Sequence, residues 1–233
     1  MDIRSEVTGD GVLVVAMDDG DKNALTPEVF DGLIDAIDAG ADARAVVLTG
    51  RDGIFTAGLD IKWMAANGRG GVAHLLSRFG TCLMRWWTDP RPTVCAATGH
   101  AIAAGTMLAM ACDHAIAAEG SWWGLMETQI DFEVPAFGIE LARANVRADR
   151  LEDLLLPGAR IDAAAAVEAG FADRLVAADA VHEAALARAR ELIELPSRAY
   201  AGTKRRLRGD AADGVLAALA ADVEQLTAHL DES

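Results

Sequence analysis

Two glycine-containing segments are where this chain could do chemistry. The first is Phe55-Thr56-Ala57-Gly58-Leu59-Asp60-Ile61-Lys62. The second is Gly99-His100-Ala101-Ile102-Ala103-Ala104-Gly105-Thr106-Met107. Each passes from a strand-like stretch through small residues into a helix-like one. The first amides of a helix have no intrahelical acceptor. Two such turns side by side would aim two backbone N–H donors at one oxygen and stabilise negative charge on it. Small residues also permit close backbone packing with no ligand involved, so that reading of the turns stays open on spacing alone.

Other chemistries lack their residues. There is no GxSxG nucleophile turn and no Ser-His-Asp order. The turn at residues 50–53 lacks the Lys-Ser/Thr of a phosphate-binding loop. Cys82, Cys95 and Cys112 sit in apolar runs without metal-ligand spacing, which predicts buried thiols and no metal. His100 adjoins the second segment and is a tempting base. His74 and His114 have no partner pattern.

The elements that must position these segments are legible from periodicity. Residues 11–17, 44–49, 93–98 and 113–118 read as buried strands. Thr26-Pro27-Glu28 reads as a helix start, with a hydroxyl cap, an early proline and an acid near the positive end of the dipole. Val29, Leu33, Ile34 and Ile37 share a face of that helix, and Gly40 ends it. Residues 54–64 combine a turn with a helix start, and a long helix is predicted over 72–88, stopping before Pro90 and Pro92. A small-residue helix follows at 103–111. Beyond Pro135 the chain reads as helical over 137–145, 150–155, 163–169, 180–192, 196–206 and 211–230. Strand–helix units thus come first and helices last.

With 233 residues, 52% of them apolar, the chain is long enough for a substantial core. A net charge of −15 argues against nucleic acid and anionic membrane as partners. The N-terminus lacks a signal-peptide pattern, and no apolar run is long enough for a span. The expectation is a cytoplasmic protein.

Four separated motifs, in order, carry a resemblance. Asn23-Ala24-Leu25 matches an early N-A-[LM] segment. Residues 55–62 resemble F-x-A-G-x-D-[IL]. Residues 92–113 resemble K-P-x-[IV]-A-A-x-x-G-x-A-x-G-G-G-x-x-[LA]-A-x-x-C-D. Residues 158–176, GARIDAAAAVEAGFADRLV, resemble G-x-x-[IL]-x-A-x-x-A-x-x-x-G-L-V-x-x-[IV]-V. These are signatures of the crotonase superfamily, the enoyl-CoA hydratase and isomerase family. The resemblance implies an α/β fold: a spiral of ββα units over 1–176, then a helical C-terminal region over 177–233. It implies a homotrimer or hexamer acting on acyl-CoA thioesters, with coenzyme A as part of the substrate and no separate cofactor.

By position, the resemblance puts the oxyanion-binding N–H groups on Leu59 and Ala104. Alanine stands at 103 and 104 where glycine is usual, and the hole survives provided φ stays negative there. Hydratases of the family use two glutamates twenty residues apart. Here those positions are Met107 and Glu127, and a thioether cannot move a proton. The stretch around Glu127, GLMETQI, resembles the G-L-N-E-T-Q-[LI] of Δ3,Δ2-enoyl-CoA isomerases. The implied activity is therefore a 1,3-proton shift by Glu127 alone, in an apolar pocket that raises its pKa. The alternatives are a hydratase or thioester hydrolase using Asp131 or Glu133 as a second acid, and an acyl-CoA-binding protein without rapid chemistry. A dienoyl-CoA isomerase would need an acid where Pro135 stands.

For coenzyme A, the resemblance points to Lys62 and to the backbone around Ala57 and Ile61. Lys22 and Arg51 are weaker candidates. Lys204 and Arg205 could reach coenzyme A from a neighbouring helix or subunit, with solvated surface side chains the preferred reading. Trp63, Trp86, Trp87, Trp122, Trp123, Phe132 and Phe137 divide between core and an acyl pocket.

Overall fold

The computed structural model describes residues 2–231. The chain begins with β1 (Asp2–Val7) and β2 (Val12–Asp18), then α1 (Pro27–Ala39). Three strand-strand-helix passes follow. The first is β3 (Ala45–Thr49), β4 (Gly53–Thr56) and α2 (Ile61–Trp87). The second is β5 (Thr93–Ala97), β6 (Gly99–Ile102) and α3 (Ala104–Ala111). The third has β7 (His114–Ala118) and β8 (Trp122–Gly124), a 3-10 turn at Glu127–Ile130, then α4 (Ala136–Asn145) and α5 (Leu151–Leu155). The chain continues through β9 (Ile161–Asp162), α6 (Ala163–Ala169) and β10 (Arg174–Val176), and closes with α7 (Val181–Ile193) and α8 (Ser197–Thr227).

In each pass the first strand joins one sheet and the second joins another. The larger sheet runs β1-β2-β3-β5-β7-β10, parallel except for the β1–β2 pair. The smaller runs β4-β6-β8-β9, with β4, β6 and β8 parallel. This is the ββα spiral the resemblance implies.

Alternation along the strands explains why both faces of the larger sheet are buried. Val12, Val14, Ala45, Val47, Val94 and Ala96 pack with Val181, Ala185 and Ala189 of α7. Leu13, Val15, Val46, Leu48, Cys95 and Ala97 point the other way, into the main core. Side chains alternate faces at period two, so a strand covered on both sides reads as one apolar run.

Several expectations are corrected. The helix start read within 54–64 and the helix read over 72–88 are one element, Ile61–Trp87, with a kink where Gly68 leaves helical geometry (φ 58°, ψ −169°). The two helices predicted over 196–206 and 211–230 are one, Ser197–Thr227. Gly209 costs such a helix only about 1 kcal/mol. A continuous buried stripe of Val215, Leu219, Val223 and Leu226 outweighs it. Thr26 precedes α1, but its hydroxyl bonds the Glu28 carboxylate (2.6 Å) instead of capping an amide. The short strands of the smaller sheet were not distinguishable from turns in the sequence.

Candidate active site

Because β4, β6 and β8 are parallel neighbours, their C-terminal ends lie along one edge. Residues 57–60, 103–104 and 125–127 leave the sheet there. The ends are tied together by polar groups. Buried Asn23 donates its side-chain amide to Met17 O and Phe55 O, both at 3.0 Å, and accepts the Thr56 hydroxyl on its carbonyl at 2.5 Å. Thr106 donates its hydroxyl to Ala101 O (2.6 Å) and accepts from the Gly124 N–H (3.1 Å). Buried polar groups satisfied in this way lock the loops they bridge.

Two glycines let the ends converge. Gly58 has φ +96°, and a Cβ on it would lie 3.1 Å from Ile102 O and 3.7 Å from Ala104 N. A Cβ on Gly105 would lie 2.7 Å from Thr56 Cγ2. The two segments that carry the expected donors are therefore in direct contact.

The amide of Leu59 is left free by its neighbours' pairing. Leu25 N–H donates to Gly58 O and Asp60 N–H donates to Leu25 O, both at 2.9 Å. This bridge turns the Leu59 N–H to the opposite side, where it meets no acceptor among the described residues. Asp60 caps α2, its carboxylate accepting from Trp63 N–H at 2.9 Å. Ala104 opens α3, and its N–H likewise has no acceptor among the described residues. The expectation of negative φ at 103 is corrected: Ala103 has φ +50° and ψ −113°. Its own N–H reaches Gly124 O at 2.8 Å, and its carbonyl accepts from Met107 N–H at 3.2 Å. Those two bonds hold the turn against the preference of an L-residue.

Glu127 starts the 3-10 turn just past β8 and is 8% exposed. Its Oε2 is buried without a hydrogen-bond partner among the described residues. Burial pushes its carboxyl pKa up to about 7, opposed in part by its own backbone amide. Met107 is buried, with its thioether beside α4: a Cβ on Gly138 would come 2.8 Å from Met107 Cε and 3.0 Å from Val134 Cγ1.

Asp131 and Glu133 follow the 3-10 turn that Glu127 opens. Both are exposed. With Thr128, Phe132, Leu226 and His229 they line a cleft of about 410 Å³. Asp131 takes the left-handed conformation that closes the 3-10 turn (φ 58°, ψ 40°), which carries the chain out to solvent.

Ala57, Ile61 and Lys62 are exposed at the mouth of the strand edge, and Ala57 N–H bonds Lys22 O at 3.0 Å. Arg51 is engaged by Asp18 (3.6 Å) and Asp21 O (2.9 Å). His100 accepts the Trp122 N–H on Nδ1 at 3.1 Å, a structural role at the β6–β8 edge. Trp86, Trp87, Trp123 and Phe137 are core, Trp63 and Phe132 pack partly buried against it, and Trp122 is exposed.

Lys204 is corrected from surface to interior. It is buried, its ammonium 2.6 Å from the Asp113 carboxylate and donating to Arg91 O. Arg208 (2.7 Å) and the Tyr200 hydroxyl (2.7 Å) complete the cluster around Asp113. The spacing 200, 204, 208 puts these three on one helical face, a signal that was available in the sequence. Arg205 is exposed, as expected.

A sequence model of the family described as enoyl-CoA hydratase/isomerase matches residues 7–233. The chain belongs to that family, within the crotonase superfamily. A putative enoyl-CoA hydratase of Thermus thermophilus is 35% identical over 189 residues, covering 78% of this chain and 74% of that one. Human mitochondrial Δ3-Δ2-enoyl-CoA isomerase has 25% identity and a TM-score of 0.93, covering 99% and 92% of the two chains. A Mycobacterium tuberculosis enoyl-CoA isomerase has 30% identity and a TM-score of 0.87, with 97% of each chain covered. The same mycobacterial protein is elsewhere described as a probable enoyl-CoA hydratase. Relatives' names thus span both activities of this enoyl-CoA hydratase/isomerase family, and the residues of this chain must discriminate.

Proposed function

We propose that this enzyme isomerises 3-enoyl-CoA to 2-trans-enoyl-CoA. One observation carries the reading: a buried carboxylate with one oxygen unpartnered, Glu127, at the strand edge that bears two free backbone amides, with Met107 at the other family acid position. The ionised Glu127 removes a proton from C2 of the thioester. The released electron pair moves into the C1–C2 bond, and the charge collects on the thioester oxygen between the Leu59 and Ala104 N–H groups. Return of the proton to C4 moves the double bond to C2–C3. Each such donor contributes about 3–4 kcal/mol to the transition state in comparable sites. A base that titrates near 7 is half ionised at neutral pH and stronger than an ordinary carboxylate.

The reaction moves only a proton, so the reading calls for no redox cofactor and no metal; coenzyme A enters with the substrate. Lys62 is assigned to the coenzyme A phosphates, with the backbone at Ala57 and Ile61 beside it. Superfamily membership supports a homotrimer or hexamer, which light scattering measures. A cytoplasmic setting is part of this reading, and no described helix is long and apolar enough to cross a membrane.

Hydration of a 2-enoyl-CoA is the competing activity, favoured by the relatives named as hydratases. Exposure of Asp131 and Glu133 weighs against it. Incubation with a 3-enoyl-CoA is expected to raise the absorbance of the conjugated thioester, and Glu127→Gln to abolish that rise. A chain that leaves 3-enoyl-CoA intact while consuming 2-enoyl-CoA refutes the proposal.

A further inference from the structure

A cavity of about 420 Å³ opens between the start of β7 and the N-terminal half of α8. That volume falls within the range of small-ligand sites, about 300–1,000 Å³. It sits on the larger sheet, whereas Glu127 and the two free amides follow strands of the smaller one. Asp113, Lys204 and Arg208 form its charged wall; Leu195, Pro196 and Leu207 form its apolar wall.

The charged wall has donors left over. Asp113 is saturated. Its Oδ2 accepts the Thr93 N–H (2.9 Å) and the Tyr200 hydroxyl (2.7 Å) and lies 2.6 Å from the Lys204 ammonium. Its Oδ1 accepts from Arg208 Nη1 at 2.7 Å. A carboxylate offers about four such sites. Arg208 Nη1 also donates to Trp87 O at 3.0 Å, which uses both of its hydrogens. The Nε and Nη2 of Arg208 have no acceptor among the described residues. Those two nitrogens form the fork that takes a carboxylate by two parallel hydrogen bonds. The Trp87 ring, 5.7 Å from the guanidinium, helps to hold the fork in place.

Charge points the same way. The Lys204 and Arg208 side chains are 5% and 18% exposed and share one carboxylate, which leaves one positive charge over. Neighbouring ions do not cancel it. Arg91 pairs with Asp89 (2.8 Å) and Arg188 with Glu191 (2.9 Å). His114 accepts from Arg188 at 3.0 Å, so its ring is neutral. Asp173, 3.9 Å from that ring, is more than half exposed, where salt screens it. A buried charge favours a counter-ion, here in a chain whose net charge is −15. The apolar wall describes the rest of the occupant, because Leu195 and Leu207 expose large aliphatic side chains on the same cavity. We propose that this cavity binds a monocarboxylate with a short aliphatic chain. Its carboxylate sits on the Arg208 fork and its chain lies against Leu195, Pro196 and Leu207. The inference is independent of the enoyl-CoA reading.

The test is calorimetric titration of the whole protein with sodium hexanoate, sodium acetate and inorganic phosphate, at neutral pH and equal ionic strength. Hexanoate is expected to bind with a dissociation constant of about 1 mM or below. Acetate, shorter by four methylenes, is expected to bind at least about tenfold more weakly. Phosphate has no chain and should be as weak as acetate. Arg208→Lys keeps the charge but loses the fork, and should weaken hexanoate about tenfold. Leu207→Glu changes an exposed position, and should weaken it as much by repelling the anion and removing apolar contact. Circular dichroism checks the fold of both variants, and Leu207→Glu carries the test if Arg208→Lys does not fold. The inference is overturned if hexanoate does not bind, or if acetate or phosphate binds as tightly. It is also overturned if hexanoate affinity stays within about twofold of the parent in Leu207→Glu or in folded Arg208→Lys.

Discussion

Glu127 connects stability to pH in a way that can be worked out from its surroundings. Its carboxyl is buried with one oxygen unpartnered, and its pKa rises from 4.5 to about 7. A raised carboxyl pKa means that folding disfavours the ionised form. Below pH 4.5 both states are protonated and there is no penalty. As pH climbs, the unfolded chain ionises first and binds fewer protons, so stability falls until the native group ionises too. At 1.36 kcal/mol per unit, the penalty is about 1 kcal/mol at pH 5.5 and about 3 kcal/mol at pH 8. Glu127→Gln removes the titration. Urea unfolding of both proteins at these two pH values, each above the sequence pI of 4.6, gives a double difference that cancels the other groups. The variant is expected to gain about 2 kcal/mol over the parent between pH 5.5 and 8. A double difference within about 0.5 kcal/mol of zero, or of opposite sign, would refute the claim that burial raises this pKa.

Further outcomes follow from neighbouring residues. Met107→Glu sets two carboxylates twenty positions apart; loss of 2-butenoyl-CoA absorbance should reveal hydration at least about tenfold above the parent. Gly58→Ala forces a side chain at φ +96° against Ile102 O; it should cost at least about 1 kcal/mol in urea unfolding and lower kcat with 3-enoyl-CoA. Ala103→Gly should raise the melting temperature, since relief of about 1–3 kcal/mol of backbone strain exceeds the added chain entropy of glycine. Lys204→Met leaves the Asp113 carboxylate short of one buried cation and should destabilise by about 3 kcal/mol in the same unfolding assay.

Much of this architecture is visible in the sequence because the larger sheet is buried on both faces. Residues 12–17 and 45–48 are unbroken apolar runs, and such runs announce themselves. The smaller sheet does not. Strands β4, β6 and β8 have four, four and three residues, too short for a period to register. The site lies on that sheet, which is why its donors could be assigned from motifs but not from patterning. Glu127 could be singled out, yet nothing local to it fixes its burial, which is set by tertiary packing. Ala103 shows the same limit. Its positive φ is held by a bond to Gly124, twenty-one residues on, together with the first α3 bond from Met107, and alanine gives no hint of it. The Lys204 cluster was legible from its four-residue spacing, but only its pairing with Asp113, 91 positions earlier, makes burial of an ammonium tolerable.

The sharpest test follows the proton itself. A 3-enoyl-CoA carrying two deuterons at C2 is incubated with the parent and with Glu127→Gln, and the product is examined by mass spectrometry and NMR. If one carboxylate carries the proton across, the parent gives the conjugated ester with part of the label at C4, and the variant gives no product. Conjugated product forming at the parent's rate in Glu127→Gln, or a 3-hydroxyacyl-CoA as the main product, would contradict the account.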